Sequence, residues 1–368
     1  MDLTDVWNGS HVFGKGRVIW DTSAFQFLAV SLTSGIVLAE FPDLQVSKLS
    51  YRFEETTSET VMLPWRNIPS NWDEATIPYG VAILLVRDST VLWGGIVVKR
   101  ERTLQGRGLS LTLATVEHYF DSVYVRDHVY SNRDQCEIVS DLVSTTLEGH
   151  RFVLSVEASP SSVRRDRTYE ESSDKTLLSA LQELSNVLDG PEWCTSWRVD
   201  GGRYMPVLTV ADRIGSVIPV TTFDESVMTS FRVLEDYTAG YGANTVVAVG
   251  STTSEDQLRS DVMVADQSYR PVVEHVVRPS SSITRKETLN AHALSSLRRL
   301  QDGTNTVDME LSLMAAPAIY VEWKPGDVIE WTVADDTGRF TGFDRGEARI
   351  VGYNIDFSGA WTITPVLQ

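Results

Sequence analysis

Residues Val81–Ala114 read VAILLVRDSTVLWGGIVVKRERTLQGRGLSLTLA. Val81–Arg87 is an apolar strand, Asp88–Ser89 a turn, Val91–Arg102 a long strand and Gln105–Gly108 a glycine-bearing turn. Leu109, Leu111 and Leu113 then alternate with Ser110, Thr112 and Ala114. Successive side chains on a strand point to opposite faces, so a period of two broken by glycine turns predicts an antiparallel meander. Gly94–Gly95 inside the long strand predicts a bulge or a barrel corner.

Outward from the meander, Phe25–Ser31 and Gly35–Glu40 are rich in β-branched and aromatic residues and break at Ser34–Gly35. Leu63–Pro78, with Pro64, Pro69 and Pro78, reads as a loop carrying Trp65 and Trp72. These two tryptophans are either an interface patch or anchors that pin the loop. Residues 1–120 are therefore expected to be β throughout.

The pattern changes over residues 121–205. Asn132 followed by Gln135 resembles a capping box, and Ile138, Val139, Leu142, Val143 and Leu147 recur at helical spacing up to Gly149. Arg151–Val156 is a short strand, and Ser159–Arg167 a polar loop with Arg164, Arg165 and Arg167. A second helix starts near Asp174, with Leu177, Leu178, Leu181, Leu184 and Leu188 as its stripe and Gly190–Pro191 as its stop. Trp193–Val199 and Met205–Val210 form a hairpin around Asp200–Gly202. The two helices are expected on one small sheet.

Residues 206–368 return to β with one helix. Thr245–Val249 is a strand, Thr284 and Glu287 form a capping box, and Leu289, Ala293, Leu294, Leu297 and Leu300 make a helix face. Thr306–Met314, Val328–Val333, Arg349–Phe357 and Trp361–Val366 are strands, with an acidic, glycine-bearing loop at Asp335–Gly346. The predicted class is α+β, mainly β. It comprises a β domain (1–120), an α/β insertion (121–205) and a second β domain with one helix near 285–300 (206–368).

Composition excludes several functions. The 368 residues carry 32 Lys and Arg against 50 Asp and Glu, a net charge of −18, which opposes a grip on nucleic-acid phosphates. The excess grows from −3 over residues 1–120 to −6 over 121–210 and −9 over 211–368, so it lies in folded sequence and not in a tail. No apolar run reaches the ~18 residues of a membrane span, so no membrane insertion is expected. The acidic start Met1–Asp5 does not read as a secretory signal. Cys136 and Cys194 are the only cysteines and belong to no CxxC pair, which makes them small buried hydrophobes.

Candidate chemistry is sparse. The neighbouring acids Glu54–Glu55, Asp73–Glu74, Glu170–Glu171, Asp224–Glu225 and Asp335–Asp336 fit a solvated surface better than a glycosidase pair, because adjacent strand residues diverge. Asp335, Asp336, Asp344 and Glu347 lack the spacing of a calcium loop. His11, His118, His128, His150, His275 and His292 form no zinc motif. Gly14, Lys15 and Gly16 make no phosphate loop. No catalytic residue, cofactor or metal is assigned. The residues expected to make contacts are Trp65, Trp72, Arg164, Arg165 and Arg167.

Three stretches carry a resemblance: LWGGIVVKRERTLQGRGLSLTLATVEHYF (Leu92–Phe120), RDRTYEESSDKTLLSALQELSNVLDGPEW (Arg165–Trp193) and YVEWKPGDVIEW (Tyr320–Trp331). In this order they resemble the minor tail proteins of long-tailed actinobacteriophages, of the baseplate-hub or tail-tip type. The resemblance implies two tail-tube-like β-barrel domains per subunit with a small α/β insertion. It implies a homotrimer that presents six barrels around the DNA channel and buries strand edges between subunits. Implied partners are the tail tube or distal tail protein, the tape measure, and fibre or tip proteins, with DNA passing through without specific binding. Assembly would occur in the host cytoplasm and the final place would be the virion's tail tip. The family supplies no catalytic residues. A carbohydrate-binding tail module, stacking sugars on Trp65 and Trp72, is one rival reading, and a cell-wall hydrolase is another.

Overall fold

Strands dominate because most apolar positions repeat with a period of two or run unbroken for a strand's length. The structure, a computed structural model, describes residues 25–187, 189–238, 240–252, 257–267, 269–279, 283 and 285–368. Gly14–Lys15–Gly16, His11, Leu188 and the Thr284 half of the capping box lie outside the described residues. Those residues fall into two compact units, one running to Ser230 and resuming at Met309–Gln368, the other Phe231–Asp308.

The chain begins with β1 (Phe25–Ser31), β2 (Val37–Glu40), β3 (Lys48–Arg52), β4 (Ser58–Pro64), β5 (Val81–Arg87), β6 (Thr90–Glu101) and β7 (Gly108–Ala114). Six of these form one sheet in the order β2-β1-β5-β6-β7-β4. The meander is β5–β6–β7, antiparallel as its alternation predicts. Gln45, in the segment that follows β2, bridges to Met62 of the edge strand β4, the two exchanging backbone hydrogen bonds of 2.8 and 3.0 Å. Val81–Val86 is wholly buried, which explains its unbroken apolar run: it has no solvent face to alternate toward.

Gly94–Gly95 is not itself the bulged position. The register shifts lie beside it, at Leu92 and Val98. A Cβ on Gly94 would sit 2.3 Å from the Trp197 indole, and one on Gly95 would sit 2.3 Å from the Trp93 ring. The glycines are there so that two tryptophans can lie flat on the strand.

The chain continues with α1 (Glu117–Phe120), β8 (His128–Asp134), α2 (Gln135–Thr146), β9 (Ser155–Ala158), β10 (Arg164–Tyr169), α3 (Leu177–Ser185), β11 (Glu192–Asp200) and β12 (Arg203–Ala211). The β11–β12 hairpin is as predicted, and β9 joins β12 in parallel. The helices and this sheet share a core that includes Ile138, Leu142, Leu181 and Trp193. Tyr119, Phe152, Trp197 and Tyr204 pack against Leu28, Val30, Leu84 and Ile96 of the first sheet.

Two local readings change. The cap of α2 is Asp134, whose carboxylate accepts from the N–H groups of Cys136 and Glu137, and not Asn132, which lies in β8 with φ 47°. Arg164, Arg165 and Arg167 lie on strand β10, paired with β8, where a polar loop was expected. Hydrogen bonding across the ribbon overrides the polar composition that suggested a loop.

The remaining elements are β13 (Pro219–Asp224), β14 (Met228–Asp236), β15 (Thr245–Thr252), β16 (Gln257–Arg259), β17 (Met263–Val264), β18 (Glu274–Val277), α4 (Lys286–Leu300), β19 (Thr304–Ser312), β20 (Val328–Thr332), β21 (Arg345–Asp356) and β22 (Thr362–Leu367). The second large sheet runs β13-β20-β21-β22-β19-β14. Its terminal strands β13 and β14 are consecutive in the chain and joined at Glu225–Val227, so the sheet must curl to bring them together there. Within Phe231–Asp308, β15 is flanked by β16, β17 and β18, and α4 lays Leu289, Ala293, Leu297 and Leu300 against Val246 and Ala248.

One pairing is invisible in the local pattern. β3 leaves the first sheet and pairs with β21 of the second, Tyr51 opposite Tyr353. Arg52 fastens the exchange by donating to Tyr353 O at 3.0 Å and Asn354 Oδ1 at 3.1 Å.

Candidate functional site

The loop after β4 holds Trp65 and Trp72 together. Their rings meet edge to face, with centroids 5.5 Å apart. The Trp72 ring also carries the Arg102 guanidinium, 5.4 Å from its centroid. The loop is tied down at several points. Trp65 N–H donates to Arg107 O, Asn71 Nδ2 to Leu38 O at 2.8 Å, and Thr76 Oγ1 to Trp72 O at 2.8 Å. Arg100 forms a 3.0 Å ion pair with Asp73, and Arg102 approaches the same carboxylate at 3.8 Å. Both tryptophans are half-buried. Arg102 takes one face of the Trp72 ring, which disfavours flat stacking of a sugar there.

The arginines separate in role. Arg165 is half-buried and internal in function: its Nε donates to Gln135 Oε1 at 2.8 Å and its Nη2 to Asp189 O at 2.9 Å, tying β10 to the start of α2. Arg167 donates to the neighbouring Asp166 carbonyl at 3.0 Å. Arg164 is exposed. All three arginines lie on the β8–β10 ribbon, apart from the tryptophan loop after β4.

A second surface was not singled out from the sequence. On β3, β21 and β22 the buried face carries Leu49, Tyr51, Tyr353, Ile355 and Ile363. The opposite face carries Lys48, Asn354, Asp356, Thr362 and Thr364, which with Glu310 of β19 line an open polar groove of about 560 Å³. No aromatic ring lines this groove. The signal was available as the alternation Tyr353-Asn354-Ile355-Asp356, but its cross-strand neighbours are set only by register.

Buried polar groups cluster where β3, α1, β11 and β21 meet. Thr195 Oγ1 donates to Glu117 Oε1 at 2.6 Å, Thr195 N–H donates to the Tyr51 hydroxyl at 3.0 Å, and the Tyr353 hydroxyl donates to Leu92 O at 2.5 Å. Burial pushes the Glu117 carboxyl above its usual range, against the lowering effect of the Thr195 bond. Glu117 Oε2 has no hydrogen-bond partner among the described residues. Burial likewise lifts both thiols, Cys136 and Cys194, to about 12, which makes them poor nucleophiles.

The acidic loop after β20 is organised by its own carboxylate. Asp335 accepts from Thr337 N–H and Oγ1 and from Phe340 N–H, and these bonds hold it below the ordinary aspartate range. Among the described residues no group of three His, Cys, Asp or Glu is arranged to hold a metal ion.

No protein-family model matches the sequence, and no curated protein matches it significantly. Solved structures do share the fold. The 43 kDa tail protein of prophage MuSo2 from Shewanella oneidensis aligns with a TM-score of 0.53 at 9% identity, over 93% of this chain and 98% of that one. A tail protein from Neisseria meningitidis MC58 also aligns at 0.53, with 14% identity, over 94% of this chain and 96% of that one. A chain from a PdpA–VgrG complex aligns at 0.50 with 9% identity over 93% of this chain, which spans 63% of it. This chain thus shares its fold, over nearly its whole length, with two proteins described as tail proteins.

Proposed function

We propose that the chain is a structural component of a phage tail tip: the baseplate hub of a long-tailed actinobacteriophage, a homotrimer forming a ring around the DNA channel. In this reading the two large sheets are tube-like barrels, three subunits present six of them, and residues 121–205 are an insertion between two β domains, 1–120 and 206–368. The ring would join the tail tube or distal tail protein to fibre or tip proteins, with the tape measure as a further neighbour.

The observation that carries the reading is the shared architecture, which spans nearly the whole of this chain and of two phage tail proteins. Three features support it. The segment after β2 bridges to the edge strand β4 at Gln45–Met62, and the edge strands β13 and β14 of the second sheet are joined by three residues, Glu225–Val227. The helices α2 and α3 and the β11–β12 hairpin share one hydrophobic cluster drawn from residues between Val116 and Val210. The polar sheet face with Lys48, Asn354, Asp356 and Glu310 suits a wall along which a polyanion slides, since carboxylates outnumber amines there and no ring offers a base a stacking surface.

Electron microscopy of the native particle tests this: density for the chain in a threefold ring at the tail tip is expected. Finding the chain outside the tail, or a ring whose channel wall is basic, sinks the reading.

A further inference from the structure

The end of the first sheet where β4 leaves and β7 begins is chemically unlike the rest of the molecule. Trp65 N–H bonds to Arg107 O there, so Arg66 and Arg107 flank the tryptophan pair. The β6–β7 turn projects Leu104, which is fully exposed at 103%. Lys99, Arg66, Arg100, Arg102 and Arg107 share this end with Asp43, Asp73, Glu74 and Glu101, a local excess of one positive charge in a chain of net −18. Lys99 pairs with Glu101 at 3.0 Å, while Arg100 and Arg102 share Asp73. Arg66 and Arg107 are exposed, and their guanidinium groups have no ion pair, hydrogen bond or ring contact among the described residues. A fully exposed leucine beside unpaired arginines and half-buried tryptophans has the composition of an interface anchor, rich in Trp and Arg.

The partner can be narrowed. Nucleic acid fits poorly, because Arg102 takes one face of the Trp72 ring and two guanidiniums do not offset a field of −18. A protein surface with free carboxylates around an apolar group fits well. One such surface lies among the described residues. The turn at Glu170–Asp174 is exposed, and no side-chain partner is recorded for the carboxylates of Glu170 and Asp174 among the described residues. Tyr124, bridged to Thr176 beside this turn, is 51% exposed. Two arginines and a leucine thus find two acids and a tyrosine on a different surface of the same chain. A contact between two different patches repeats head to tail and closes into a ring when the rotation allows.

We propose that the Arg66–Leu104–Arg107 end of one copy docks on the Glu170–Asp174 turn, beside Tyr124, of a second copy. This rests on the ring reading and names the contact that builds it.

The test places a photo-reactive phenylalanine derivative at position 104 of the full chain. Leu104 is fully exposed, so folding is preserved. Irradiation at low salt is expected to give a covalent dimer joined within residues 120–127 or 168–176 of the second copy. Arg66→Glu with Arg107→Glu lowers the yield about tenfold, as does Glu170→Arg with Asp174→Arg, and combining one variant of each type restores it. Cross-links to any other segment, cross-links to added duplex DNA in place of the dimer, or no cross-link at all overturn the contact. The hub reading stands or falls separately on where microscopy finds the chain in the particle.

Discussion

Glu117 shows what single residues reveal and conceal. In sequence it is one of 50 acids, yet it is wholly buried, bonded to Thr195 and left with one oxygen unpartnered. Its carboxyl is raised in the fold above the ~4.3 of an exposed glutamate. The native state therefore binds more protons than the unfolded chain in the interval between those two values, and stability falls as pH rises through it. Chemical denaturation of Glu117→Gln at pH 4.5 and again at pH 8 is expected to show the variant gaining on the wild type at the higher pH. A constant difference would mean that the carboxyl is not held neutral. Trp65 and Trp72 were legible as a pair of interest because prolines bracket them, but their edge-to-face contact and the Arg102 over Trp72 depend on β6 passing beside the loop. Arg165 looked like a free cation and is a tie between elements, since strand pairing turns its side chain toward Gln135.

At the scale of elements, caps and cross-links decide stability. Asp134 caps α2 and, through its second oxygen, accepts from Ser161 N–H at 2.7 Å. Asp134→Ala leaves three N–H groups without this acceptor and is expected to lower stability by about 2 kcal/mol in urea unfolding. Arg349 of β21 donates to both carboxylate oxygens of Glu192 on β11 and to Ile214 O. It is largely buried, so Arg349→Ala leaves a carboxylate with its main partner gone and is expected to cost about 3 kcal/mol. A loss under ~0.5 kcal/mol would class it with surface pairs. On β21, Gly352 lies opposite Arg52, and a Cβ there would sit 2.4 Å from Tyr51 O. Gly352→Val is expected to displace β3 from β21, read as faster amide exchange over Lys48–Arg52. The meander and the β11–β12 hairpin were readable because their contacts are local. The β3–β21 ladder was not, since its partners are some 300 residues apart and nothing in KLSYR names its mate.

For the whole molecule, the two units have separate cores. Calorimetry is accordingly expected to give a van't Hoff enthalpy below the calorimetric one, and a ratio near one would show that both unfold together. The charge of −18 was distributed along the whole sequence, and the fold concentrates its exceptions: Arg66 and Arg107 gather at one end of a sheet, while Glu170 and Asp174 share an exposed turn elsewhere. By itself the sequence determined the mainly β class, the β5–β7 meander, the β11–β12 hairpin and the helix stripes, because periodicity and turns act over a few residues. Tertiary structure alone decided the pairing of β3 with β21, the curl of the second sheet, the burial of Glu117 and which charges stay unpaired. Each of these depends on register and packing between residues distant in the chain, where local propensity is silent and the loss of water around buried groups selects the partner.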